Sequence, residues 1–300
     1  NFCNKLWNAC RFRALQGAIT ADADPFALPL TPFAAHLLAR LDEVIVSVNT
    51  AFDQFEFSAA AGALYEFVWD DLCSRFLETA KAEFADAHSP TRAGTLATID
   101  YTLSRVLRLL HPYTPFITEE SWTEFGFGAD TIQFAPWPTV SGRPQPAAAV
   151  QQARDTYALI DAARRLRGEF QIASHQKLHL KLKRDTPLPA GDAALLPALL
   201  NAATLTVIAT PLDKTPVTIT PLGDLYMPLA GVLDLAKERE RLAKELAKAQ
   251  AALEREDKKL ANPAMLEKAP AEKVAAWQAL KSAATAQIKK LSSQLAALEC

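Results

Sequence analysis

The sequence predicts a mainly α protein: an antiparallel helix bundle, a small α+β connecting module and a C-terminal antiparallel coiled-coil hairpin. Three observations predict it. Apolar residues recur at helical spacing in a series of segments within the first 140 residues, parted by proline-bearing breaks. Lys177–Lys183 (KLHLKLK) alternates strictly, the period of a half-buried strand. The last 70 residues carry two heptad stripes of similar length on either side of a break. These set expected boundaries of 1–140 for the bundle, 141–230 for the module and 231–300 for the arm.

Asn1 to Gln16 reads as a two-faced helix. Phe2, Leu6, Trp7, Cys10 and Ala14 form its apolar side, and Asn1, Lys5, Asn8 and Arg11 its polar side. Pro25, Pro29 and Pro32 mark the loop that follows. A second helix is expected over about Phe33–Phe55. Ser58 is the expected N-cap of a third, running through Leu64, Phe67, Val68, Leu72 and Phe76. His88-Ser89-Pro90 breaks it. Thr91–Leu110 is a fourth, and Thr114-Pro115 supplies an N-cap and N1 pair for a short fifth. The proline-rich stretch Phe134–Pro146 is an extended strap.

In the module, a helix over Ala147–Arg167 leads into the alternating strand. Short strands are expected at Thr204–Ala209 and Pro216–Thr220, with a helix near Asp192–Asn201. In the arm, Leu235, Leu242, Leu246, Ala249, Leu253 and Leu260 keep the heptad period, and Trp277, Ala284, Ile288, Leu291, Leu295 and Leu298 resume it after Asn262, Pro263 and Pro270. Two arms of about 28 residues, each about 40 Å long by helical rise, should fold back on each other.

Composition narrows the function. Half the residues are hydrophobic and 22% are charged, so a core can be buried and disorder is not expected. Only 10 glycines occur and no glycine-rich phosphate loop, which argues against a nucleotide-binding α/β fold. The net charge of −2 hides an asymmetry, because Gly231–Cys300 holds 13 Lys+Arg against 10 Asp+Glu. A basic end is what a polyanionic partner would meet, and equally what an ordinary solvated helix face looks like. The four cysteines include no Cys-x-x-Cys pair. Cys3 and Cys10, about 10 Å apart along one helix, cannot form a disulfide, so buried thiols in a reducing, cytoplasmic setting are expected. No apolar run approaches the roughly 20 residues needed to span a bilayer.

No self-sufficient active site is legible. His175 and His179, in or next to an alternating strand, would lie over about 13 Å apart, too far to share a metal. Adjacent Asp70 and Asp71 point about 100° apart on a helix, which suits a solvated face better than an acid pair. Ser47, Ser74 and Ser104 lack a nucleophile-elbow setting. Binding is better supplied. Asn1, Lys5, Asn8 and Arg11 combine amides and cations that suit base edges and phosphates, or form a plain exposed face. Arg164, Arg165 and Arg167 at a helix end suit a phosphate, or merely complement the helix dipole. In the arm, Arg239, Arg241, Lys244, Lys248, Arg255, Lys258 and Lys259 alternate with Glu. Local pairing explains some of them, such as Glu240 with Lys244, but a stiff basic rod also suits a nucleic-acid backbone.

The ordered motifs carry a resemblance. Asn1–Ala9 (NFCNKLWNA) with Arg11-Phe12 resembles the helix that opens the anticodon-binding domain of class I valine–tRNA synthetases. Ala61–Trp69 (AGALYEFVW), His111-Pro112 with Pro115–Glu119 and Trp122, and Arg164-x-x-Arg167-x-Glu169 follow in the family's order. Lys259–Pro263 with Lys268-Ala269-Pro270 is similar to its hairpin tip. Isoleucine and leucine enzymes share the bundle, but the expected Cys-x-x-Cys zinc sites of the isoleucine enzyme are absent. The resemblance implies a bundle that grips the anticodon stem-loop, a connecting module, and an arm against the outer corner of tRNA(Val), in a protein that is monomeric and binds neither DNA nor membrane. It implies a parent ligase that uses ATP and Mg to join valine to tRNA. The His-Ile-Gly-His and Lys-Met-Ser-Lys-Ser signatures are missing, so these residues should be inactive alone and need no cofactor of their own. A non-catalytic helical scaffold with a coiled-coil assembly arm is the alternative. Cys73-Ser74-Arg75-Phe76 departs from the family's Cys-Asp-Trp-Tyr-like run, Ser174–Lys177 from its Pro-Gly-Lys turn, and Arg165 from a common Asn.

Overall fold

The computed structural model describes residues 1–20, 23–173, 175–188, 190–229, 235–262, 265, 267 and 269–298. The chain divides into two compact units, 1–158 and 159–300.

The first unit is a helix bundle. Its elements are α1 (Phe2–Ala14), α2 (Pro32–Asp53), α3 (Phe57–Glu66), a π-helical segment (Phe67–Phe76), α4 (Leu77–Ala85), α5 (Arg92–Leu110), α6 (Pro115–Glu124) and the start of α7 (Ala147–Glu169). Thr31 caps α2 through its side chain, which accepts from the Ala34 amide at 3.1 Å. Helix α5 lies at the centre, with Ile99, Leu103, Val106, Leu107 and Leu109 fully buried. A Cβ on Gly94 at its start would collide with the Pro29 carbonyl, so glycine lets the loop before α2 lie directly on the helix.

Three expectations need correction. Thr114 stands at the N-cap position of α6 with Pro115 after it, but its side chain makes no capping bond and its hydroxyl donates back to the Leu110 carbonyl at 3.3 Å. Ser58 is not an N-cap: α3 begins at Phe57, with Glu56 in the cap position and no side-chain cap. The turn before it is closed instead by Phe55 at φ 60° and by the Glu56 amide donating to the Ala51 carbonyl at 2.8 Å. The expected single α-helix through Phe76 widens after Glu66 into the π-helical segment.

The second unit contains the end of α7, a four-stranded mixed sheet and the arm. Strands β1 (Leu178–Lys183), β2 (Ala202–Ile208), β3 (Val217–Thr220) and β4 (Gly223–Tyr226) lie in the order β2-β1-β4-β3. β1 and β2 are parallel, joined by the crossover helix α8 (Ala190–Leu199), and the other pairs are antiparallel. The alternation of β1 is realised with Leu178, Leu180 and Leu182 buried. Strand β4 was not foreseen, since only Leu225 and Tyr226 in it are apolar.

The arm is α9 (Leu235–Leu260) and α10 (Ala271–Leu298), packed along each other. Leu242, Ala249, Ala284 and Leu291 are buried in the seam, and Leu246, Leu253, Ile288 and Leu295 are half-buried. The side chains of Leu235 and Leu298, and the expected tip residues Pro263 and Lys268, lie outside the described residues.

Candidate nucleic-acid interface

Helix α1 presents one exposed stripe, formed by Asn1, Asn4, Asn8, Arg11 and Leu15 at three- and four-residue spacing. Its opposite side is fixed by buried Leu6, Ala9 and Cys10, and by Trp7, whose ring lies 4.8 Å from that of Phe125. Arg13 is also buried and grips Asp100 on α5, with Nε 2.6 Å from Oδ1 and Nη2 donating to Oδ2 at 2.7 Å. Arg13 also donates to the Gly17 and Ala18 carbonyls, and the Thr20 amide donates to Asp100 Oδ2, which ties down the loop after α1. The stripe is therefore mounted on a rigid helix. Arg11 and Asn8 point to solvent without partners among the described residues.

Lys5, expected on that stripe, is half-buried instead. Its Nζ sits 3.9 Å from the Trp69 ring centroid and donates to Ser74 Oγ at 2.9 Å. The π-helical turn accounts for this placement, because its i→i+5 repeat brings Trp69 and Ser74 to the same side, where Ser74 Oγ donates to the Trp69 carbonyl at 2.6 Å. Trp69 in turn stacks on Tyr65 at 5.6 Å and 8°, and Tyr65 on Phe2 at 5.2 Å and 25°. The result is a column, Phe2–Tyr65–Trp69–Lys5, beside the amide stripe, with Tyr65 49% exposed. Such a column offers a planar face on which a base can stack, while the amides and guanidinium offer partners for base edges and phosphates. Asn4, Tyr65 and Trp69 were not among the expected binding residues. The i,i+4 aromatic pair was readable in the sequence, but its alignment with Phe2 on another helix was not.

In the second unit the three arginines of α7 part company. Arg164 is exposed and 3.8 Å from Asp161, and Arg165 is exposed. Arg167 is 8% exposed, and its Nη2 donates to the Ala173 and Gln176 carbonyls at 2.9 and 2.7 Å. It clamps the turn before β1, and its Nη2 is taken up by the protein's own backbone.

The arm's cations also fall into two groups. Arg241 is held by Glu238, by Glu245 at 2.6 Å and by the Glu169 carbonyl. Lys259 pairs with buried Glu256 at 2.7 Å and reaches towards the Trp277 ring on the opposite helix. Arg239 is half-buried. Arg241 and Lys259 are thus taken up by contacts within the protein. Lys244, Lys248, Arg255 and Lys258 are all exposed and fall within about 80° of each other around α9. Lys244 and Lys258 keep local partners in Glu240 and Glu254, whereas Lys248 and Arg255 have none among the described residues. This stripe is the basic face that a polyanion would meet.

Chemistry other than binding finds little support. Among the described residues no group of three or more His, Cys, Asp and Glu is placed to hold a metal ion, and no helix is long and apolar enough to cross a membrane. His175 and His179 are both exposed. Asp70 is exposed but Asp71, contrary to expectation, is buried between Arg40 at 3.2 Å and Arg75 at 3.1 Å, an ion-paired anchor for α2. Burial pushes the Cys10 thiol up to about 12 and the Cys73 thiol up to about 11, so neither is a nucleophile near neutral pH.

Residues 34–182 match the family described as the anticodon-binding domain of tRNA ligase, and residues 234–299 the family described as the valyl tRNA synthetase tRNA binding arm. Along 99% of its length the chain is 36% identical to the valine–tRNA ligase of Nocardia farcinica, of which it covers 33%. It is 34% identical over 90% of its length to that of Geobacillus kaustophilus, covering 32%, and 35% identical over its full length to that of Mycobacterium tuberculosis, covering 34%. The chain thus spans about a third of the length of the curated relatives it matches. Helix α1 precedes the residues matched by the anticodon-binding family.

Proposed function

Since this chain belongs to the C-terminal region of the valine–tRNA ligase family, with its anticodon-binding domain and tRNA-binding arm, we propose that it holds tRNA(Val) at two places. The α1 stripe and its aromatic column receive the anticodon stem-loop. Asn1, Asn4 and Asn8 address base edges, Arg11 a phosphate or a guanine edge, and the outer face of Phe2, at the open end of the column, a base face. The stripe Lys244, Lys248, Arg255 and Lys258 runs along the backbone at the outer corner of the tRNA, with Arg164 as a further phosphate contact. The whole ligase, a cytoplasmic monomer in this reading, activates valine with ATP and Mg and esterifies it to the tRNA. This part contributes position and selectivity, not the reacting groups.

The observation that carries the reading is the stripe of amides and an unpartnered guanidinium beside a stacked aromatic column, a combination suited to unpaired RNA bases. Mobility shift with a tRNA(Val) transcript over a salt series tests it. N8A/R11A should weaken binding by about 1–3 kcal/mol, with loss of discrimination between tRNA(Val) and other tRNAs. K248A/R255A should weaken binding to all tRNAs alike and lower the salt slope by about two. Equal, weak binding to tRNA and unrelated RNA by the parent chain would leave only the scaffold alternative.

A further inference from the structure

The first unit holds a cavity of about 670 Å³ that the α1 stripe does not touch, walled by α5, α6, the loop at residues 23–26 and the strap at 128–143. Three guanidinium groups, Arg105, Arg108 and Arg143, face it across aromatic walls that include Phe26, Tyr101 and Phe134. Their states differ. Arg143 forms a two-pronged pair with Asp24, at 3.0 and 2.8 Å. Arg108 is anchored to the Ser104 carbonyl at 2.9 Å and the Pro136 carbonyl at 2.7 Å. Arg105 lies flat on the Tyr101 ring, 3.2 Å from its centroid, and makes one long bond to the Tyr101 carbonyl at 3.3 Å. Its Nε is buried without a hydrogen-bond partner; Asp42 lies near enough to act on its charge, and Asp24 and Asp130 are the carboxylates in the cavity wall.

A half-buried cation with unmet donors is costly unless something arrives to meet them. The planar fork of Arg matches a phosphate, and one of its faces is already covered by the Tyr101 ring. Phe134 is 83% exposed, an unusual position for an apolar ring that has no protein neighbour to cover it. A cavity of this size admits one ring system with a sugar and a phosphate, not a duplex.

We propose that this cavity binds a single nucleotide, its phosphate on Arg105 with support from Arg108, and its base against Phe134 and Phe26. The nucleotide is either free in solution or everted from an RNA strand, and the chemistry is the same for both. The proposal is independent of the reading of the α1 stripe.

Calorimetry on the full chain tests it with adenosine 5′-monophosphate, adenosine and inorganic phosphate as probes. The monophosphate should bind at least tenfold more tightly than either fragment. R105Q and F134A should each lose at least tenfold in that affinity. F134A should keep the parent's thermal midpoint, since its ring is already in solvent, so its loss of affinity cannot be a folding defect. Competition identifies the source. Monophosphate that displaces tRNA from the parent but not from R105Q marks an everted nucleotide, and monophosphate that binds without altering tRNA affinity marks a free one. Equal affinity for inorganic phosphate and the monophosphate, or unchanged binding in both variants, overturns the proposal.

Discussion

Helix α5 of the first unit and helix α9 of the second are both amphipathic, but they are held by different means. Helix α5 packs against α1, α2, α3, α4 and α6, and Ile99, Leu103, Val106, Leu107 and Leu109 lose all contact with water. Helix α9 has one main partner, α10, and of its apolar residues with described side chains only Leu242 and Ala249 are buried. Charge does part of the work there. Lys281 on α10 meets Asp257 on α9 at 2.7 Å, and Glu169 at the end of α7 accepts from Gln294 at 3.3 Å and pairs with Lys290 at 2.7 Å. The bundle is fixed by its core, so its surface can be spent wholly on recognition. The arm has so little core that its cations must be shared between holding the rod and meeting a ligand.

That contrast can be broken, starting from its largest expected effect. Phe67→Ala empties a fully buried site in the bundle and should cost about 3–5 kcal/mol, read as a fall in the denaturant midpoint. Leu242→Ala, fully buried in the arm seam, should cost about 2–3 kcal/mol, because a thin two-helix seam can collapse around the gap. Hydrogen exchange should place that loss in α9 and α10 and leave α5 protected. Loss of protection in both would show that the two regions do not differ as described.

Acid should separate the regions next. Burial holds His36, on α2 against the Tyr157 ring, below its usual value of 6.5, although neighbouring Asp71 pulls the other way; Arg40, Arg75 and Arg154 add to the lowering. The unfolded state then binds the proton more readily, so bundle stability is full above pH 6.5 and falls as pH drops below it. His36→Gln should flatten that slope in a thermal melt of the bundle, and an unchanged slope would assign it elsewhere. The smallest effect is expected for Lys244→Ala, which removes an exposed pair with Glu240 and should cost only about 0.3–0.5 kcal/mol of arm stability. A loss of several times that would mean Lys244 belongs with Arg241 and Lys259 among the residues that hold the rod.

Period carried most of the legible information. The heptads of α9 and α10 and the alternation of β1 depend on local spacing alone, and they appear where expected. So do Asn1, Asn8 and Arg11 on the exposed side of α1. Lys5 turned inward because a π-helical segment, which has no residue signature of its own, aligned Trp69 with Ser74. Arg167 turned inward because its acceptors are two backbone carbonyls in a turn, and carbonyls are invisible in a sequence. Ser58 lost its cap because Phe55 closed the turn through its own backbone.

By itself, then, the sequence determined which segments are helical and that the chain ends in a paired arm, since both follow from residue type and local repeat. The tertiary structure alone decided which cations remain free, how Phe2, Tyr65 and Trp69 line up in one column, and that Arg105 lines a cavity with its Nε unmet. Those outcomes depend on distances between residues far apart in the chain, and on where burial makes an unpaired charge expensive.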